Sequence, residues 1–170
     1  MNPVLGRWNV LSEPEAVQEI LPCCGSLRWA HALTRLRPFA DTAKLLAQSD
    51  KIWSQLDPSD WDEAFASHPR IGEKKAPPSA TAKSAAWSIE EQSGVTRAAA
   101  DVQDRLRRGN EEYERRFGRI YIVCATGKSA EEMLAILERR LENNHAAELL
   151  EAAEQQRQIT QLRLRRWLNL

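Results

Sequence analysis

Ile120-Tyr121-Ile122-Val123-Cys124 is the stretch on which the fold turns. It is β-branched and aromatic and too short for a helix, so local propensity reads it as extended. Everything around it punctuates as helix. Downstream, Ser129-Ala130-Glu131-Glu132 is a capping box that opens a helix carrying Met133, Leu134, Ile136, Leu137 and Leu141. Asn143-Asn144 closes that helix, and a last one is predicted over about 146–168. Upstream, a helix is predicted from about 95 to 116, with Gly109-Asn110 as a kink point, and another over about 80–93, closed by Gly94.

The N-terminal part repeats this grammar. Ser12-Glu13-Pro14-Glu15 starts a helix that stops near Pro22-Cys23-Cys24-Gly25, and Ser26 caps the next, which ends at Pro38. A third covers about 41–56. Asp57-Pro58 starts a short fourth, and His68-Pro69 ends it, because the residue before a proline is pushed out of the α region. Residues 68–79 read as a loop. A lone extended segment cannot satisfy its own backbone groups, so 120–124 needs a second chain, neighbouring side chains or a ligand. The predicted fold class is all-α: a single compact multi-helix domain over residues 1–170, with one short extended segment near 119–125.

Composition narrows the function classes. The 24 Lys and Arg balance 24 Asp and Glu, which argues against a dedicated nucleic-acid binder. No apolar run approaches a membrane span; Met1-Asn2-Pro3-Val4 does not read as a signal peptide, nor Trp167-Leu168-Asn169-Leu170 as a peroxisomal signal. Cys23, Cys24 and Cys124 have no metal-type spacing and read as reduced thiols of a cytoplasmic protein. Gly127-Lys128-Ser129 lacks the first glycine of a phosphate loop, since residue 122 is Ile.

Three places carry candidate chemistry. His68, in Ser67-His68-Pro69-Arg70-Ile71-Gly72-Glu73, is an imidazole on a restricted corner, suited to proton transfer near neutrality. Ser88, Glu91 and Gln92 are spaced to share one helix face. Arg163 lies at +4 from Ile159, +1 from Leu162 and −4 from Trp167, beside an apolar stripe, and a guanidinium buried there requires an anionic or carbonyl partner. On residue type and spacing alone the plainer readings are a solvated loop histidine, an ordinary polar helix face and an arginine with its head in water. His31, His145 and the six tryptophans read as structural, and Arg165 and Arg166 as solvated charges at a helix C-terminus.

Taken together, Cys23-Cys24-Gly25-Ser26 with Trp29, Arg37-Pro38-Phe39, Ser67 to Gly72, Ser88-Ile89-Glu90-Glu91-Gln92, Phe117-Gly118 followed by Ile122-Val123-Cys124-Ala125, and Ile159 with Leu162-Arg163-Leu164 resemble the 2-oxo-4-hydroxy-4-carboxy-5-ureidoimidazoline (OHCU) decarboxylases across about residues 11–168. The resemblance implies an all-helical homodimer, without a cofactor, that acts on a small ureide in the last step from urate to (S)-allantoin. It implies a catalytic role for His68 and Glu91, with Pro69, Ser88 and Gln92 in the substrate pocket. It also implies backbone contacts to substrate within Tyr121, Ile122, Val123, Cys124 and Ala125, and an arginine at Arg163. Glu90 is the adjacent alternative to Glu91, and Arg165 the alternative register for Arg163. The rival readings are a hydrolase or racemase of a ureide, a non-catalytic helical scaffold, and a nucleic-acid binder using Arg163, Arg165 and Arg166.

Overall fold

Caps set the helix starts. The structure is a computed structural model that describes residues 2–73, 75–95 and 98–170. Asn2 accepts from the N–H groups of Val4 and Leu5 at 3.0 and 3.1 Å and opens α1 (Pro3–Asn9). Proline is harmless there, where its missing N–H has no intrahelical partner. This helix is additional to those the sequence patterning predicts; Asn2-Pro3 is its signal. The other starts follow the predicted signals. Glu15 reaches back to the Ser12 N–H at 3.1 Å at the head of α2 (Glu13–Ile20), and Ser26 caps α3 (Leu27–Arg35). Asp41 caps α4 (Thr42–Ser54), and Pro58 begins α5 (Pro58–Ala66). Thr81 caps α6 (Ala82–Glu91). Next come α7 (Ala100–Phe117), α8 (Ala130–Arg140), with its Ser129/Glu132 capping box, and α9 (His145–Trp167). The all-α class holds, and among the described residues no strand is present.

Contacts divide the chain into two compact units, Met1–Ala64 with Arg157–Leu170, and Phe65–Gln156. In the first, α2 packs on α3 and α3 on α4. Trp8 is fully buried, stacks on Phe39 at 6.1 Å between ring centroids and meets the edge of Trp167 at 5.6 Å. Its indole N–H is satisfied by the Ala16 carbonyl at 3.0 Å, as a buried tryptophan requires.

In the second unit α7 packs along α8 around Leu106, Tyr113, Phe117, Met133 and Leu137. The predicted helix start near 95 is corrected: α7 begins at Ala100, and Thr96 and Arg97 lie outside the described residues. The predicted kink point is corrected as well. The helix runs through Gly109 unbroken, and a Cβ there would lie 2.5 Å from Leu137 Cδ2. Glycine serves close approach of α8 rather than a bend.

The extended segment finds its partners among side chains. Arg140 donates to the Ile122 carbonyl at 2.6 Å, Gln155 accepts from the Cys124 N–H at 2.9 Å, and Lys128 donates to the Cys124 carbonyl at 2.8 Å. Of the three kinds of partner open to it, neighbouring side chains take these groups. Tyr121 to Ala125 are all buried.

Candidate functional site

The corner at His68 is built by a helix end and a proline. α5 stops at Ala66, the His68 N–H turns back to the Phe65 carbonyl at 3.1 Å, and Pro69 prevents continuation. This is the placement the sequence predicts. The burial is not: His68 is 7% exposed, and Ser67 and Pro69 are buried beside it, so it is no solvated loop residue.

The chain beyond the corner is pinned. Arg70 pairs with Glu114, one bond being Nη2 to Oε2 at 2.8 Å, and with Glu73 at 3.1 Å. Its bonds to Glu114 foremost, then to Glu73, raise its pKa. Asn110 on α7 donates to the Ile71 carbonyl, and Gly72, at φ +91°, donates its N–H to Gln92 Oε1 at 3.0 Å. The structure thus ties the His68 segment to Gln92, twenty residues away in sequence.

α6 carries Ser88 and Glu91 three residues apart, and Gln92 lies just past its last residue. Ser88 is 2% exposed, Glu91 is half-buried, and Gln92 follows as the C-cap residue. Glu90 is exposed, so burial places Glu91 rather than Glu90 on the face of Ser88.

At 121–125 neighbouring side chains take part of the backbone's hydrogen-bonding capacity. The Cys124 N–H is held by Gln155 and both carbonyls of Ile122 and Cys124 are held by cations. Behind this segment lies a buried network absent from the predictions. Arg140 and Glu148 are both fully buried and bonded to each other, and Tyr113 donates its hydroxyl to Glu148. Burial works against the Arg140 charge, but the bond to Glu148 and the neighbouring tyrosines leave its pKa raised. Its signal was available in part: Arg140 stands three and seven residues after Leu137 and Met133, on the buried stripe of α8.

Arg163 belongs to the other unit. It is 1% exposed, and Nη1 donates to the Pro22 carbonyl at 3.3 Å, the kind of partner its position demands. Arg165 and Arg166 are exposed. Leu162 is 41% exposed, so of the three apolar residues read beside Arg163 only Ile159 and Trp167 are buried. The three cysteines are free and buried, and burial pushes the Cys24 thiol up to about 12. His31 is half-exposed beside Glu13, and His145 meets the Phe117 ring edge-on.

A cavity of about 470 Å³ lies between the Arg70–Glu73 segment and α7; His68, Ser88 and Glu91 are not in its lining. Among the described residues no three His, Cys, Asp or Glu side chains are grouped to hold a metal ion. No helix among them is long and apolar enough to cross a membrane.

Residues 9–165 match the protein-family model described as OHCU decarboxylase. The chain is 37% identical over 144 residues to the uric acid degradation bifunctional protein TTL of Arabidopsis thaliana, covering 84% of this chain and 44% of that protein. It is 33% identical over 129 residues to the 2-oxo-4-hydroxy-4-carboxy-5-ureidoimidazoline decarboxylase of Amia calva, covering 75% and 73%. The chain therefore spans less than half the length of the plant relative and about three-quarters of the fish one. Among solved structures, that of an OHCU decarboxylase in the presence of (S)-allantoin aligns with a TM-score of 0.77 and 32% identity, over 89% of this chain and 98% of the other. An (S)-allantoin synthase aligns with a TM-score of 0.72 over 96% and 53%; at 17% identity it shares the fold.

Proposed function

Because this chain belongs to the OHCU decarboxylase family, we propose that it is a carboxy-lyase of urate catabolism that releases carbon dioxide from 2-oxo-4-hydroxy-4-carboxy-5-ureidoimidazoline and yields (S)-allantoin. The observation that carries this reading is the His68 corner: a buried imidazole on a fixed turn, tied through Gly72 to the polar end of α6.

The substrate brings its own electron sink. The bond to its carboxylate breaks, carbon dioxide leaves, and the electron pair enters the adjacent imine-type system. One proton is then delivered from one face to the ureido-bearing ring carbon, the former imine nitrogen takes up another, and the ring hydroxyl gives up its proton as it becomes a carbonyl, so that one proton is taken up overall. In this reading His68 is the acid–base group, a role worth roughly 10²–10⁴-fold in rate. Glu91 orients the ureido N–H groups, while Ser88, Gln92 and Pro69 complete recognition. The backbone of Tyr121, Ile122, Val123 and Ala125 forms the polar wall, with the Ile122 carbonyl already engaged by Arg140 and the Cys124 groups by Gln155 and Lys128. Arg163 is assigned to developing negative charge, on its burial and the family resemblance.

Residues 1–170 are taken as one catalytic domain acting as a homodimer in the cytoplasm. Buried free thiols are the state a reducing compartment maintains, and sedimentation velocity reads the oligomeric state.

The decisive experiment generates fresh substrate from urate with the two upstream enzymes and follows the optical activity of the allantoin formed. Wild-type protein should accelerate formation of the S enantiomer, and His68→Ala should abolish that acceleration while keeping helical circular dichroism. No acceleration by wild type, or full activity in His68→Ala, overturns the reading. Arg163→Ala should lose activity in the same assay, and Arg165→Ala should keep it.

A further inference from the structure

Asn110 makes a contact that its place in a helix does not require. It sits within α7, 2% exposed, and its Nδ2 donates to the Ile71 carbonyl at 3.0 Å. Its Oδ1 is buried and accepts no hydrogen bond from any described residue. Asparagine is a poor helix former and a buried amide oxygen without a partner costs stability, so stability alone does not account for the residue. What it secures is one peptide group. The Ile71 carbonyl and the Gly72 N–H belong to the same planar trans unit and point in opposite directions. Asn110 holds one end and Gln92 Oε1 holds the other at 3.0 Å. The positive φ of Gly72 is open to glycine at no steric cost.

Donor and acceptor identity then fixes Gln92. A backbone N–H only donates, so the Gln92 amide must turn its oxygen to Gly72 and its Nε2 hydrogens away. A glutamine that flips freely reads donors and acceptors alike, whereas one held through its oxygen presents donors. On the decarboxylase reading of this site, we propose that Asn110 is a positioning residue: through the Ile71–Gly72 peptide it fixes Gln92 as a hydrogen-bond donor to a carbonyl or carboxylate oxygen of the ureide. Asn110 acts through Gln92 and makes no substrate contact of its own.

The test is a double-mutant cycle on steady-state constants. Asn110→Ala should raise KM about tenfold, the upper range for one neutral hydrogen bond, with kcat within about threefold. In a Gln92→Ala background the same change should raise KM by less than about twofold, because residues acting through one contact are not additive. Equal effects in both backgrounds, or a loss confined to kcat, overturn the proposal. Amide exchange supplies an arm independent of whether Asn110→Ala folds. The Gly72 amide should be protected in the wild-type protein and lose protection in Gln92→Ala; a Gly72 amide exchanging freely in wild type also overturns it. Failure of the decarboxylase reading shows elsewhere, in a wild-type protein that does not accelerate the reaction or a His68→Ala variant that keeps full turnover.

Discussion

Arg140 and Glu148 meet with neither side chain exposed to solvent, Nη2 lying 2.5 Å from Oε1, while Nη1 of the same guanidinium reaches the Ile122 carbonyl at 2.6 Å. One buried charge pair therefore fixes both the α8–α9 junction and the extended segment. Removing one partner strands the other. Arg140→Met or Glu148→Leu alone should cost about 3–5 kcal/mol, whereas the double variant should recover most of that loss. Urea denaturation of the three proteins checks this; a double variant as unstable as the singles contradicts it.

The choice between adjacent carboxylates is equally open to measurement. Glu91 is half-buried on the face of Ser88 and Glu90 points to solvent. Glu91→Gln should lower kcat by about 10²-fold, the scale of a substrate held out of position. Glu90→Gln should leave kcat within about twofold, as exposed substitutions away from special features have small effects. Reversal of the two results would move the site one residue along α6.

At Gly109 two effects oppose each other. Alanine gains about 1 kcal/mol of helix propensity. Its Cβ, however, would sit 2.5 Å from Leu137 Cδ2 and 3.2 Å from Cγ, and Leu137 is fully buried. Overpacking of this kind costs about 1–3 kcal/mol, and because the fully buried Leu137 has little room to retreat, Gly109→Ala should lower Tm. A rise in Tm would show that α8 retreats freely.

Alkaline pH should act through Cys24. Burial raises its thiol from an ordinary value of 9.0 to about 12. A raised pKa means the folded state keeps its proton where the unfolded chain loses it. The stabilisation is thus complete below pH 9 and is lost as pH climbs from about 9 to about 12. Tyr113 and Tyr121, also raised chiefly by burial, add to the same decline. Urea midpoints across this range should fall, and Cys24→Ala should flatten part of the slope; an unchanged slope would remove Cys24 from the account.

Helix starts were legible because their signals are local: the Ser12, Ser26 and Ser129 caps and Pro58 need only a few neighbours to act. His68 was legible as a corner for the same reason, but its burial was not, since burial depends on elements distant in sequence. Gly109 reads as a kink until Leu137, 28 positions on, is packed against it. Propensity named 120–124 extended correctly and its partners only by class, because Arg140, Gln155 and Lys128 reach it from outside the segment. Spacing alone puts Arg140 on the buried stripe of α8, but a charge there is accounted for only by its meeting with Glu148 from another helix.

The side-chain clamp on residues 122–124 has a consequence for how the protein fails. An apolar, β-branched run with no sheet around it exposes no strand edge while Arg140, Gln155 and Lys128 hold its backbone. Once α8 loosens, the same run becomes a short segment with free backbone groups and no internal charge, the composition that nucleates cross-β stacking between chains. Partial opening of this unit therefore leads toward self-association, and the arginine that orders the segment also acts as its gatekeeper.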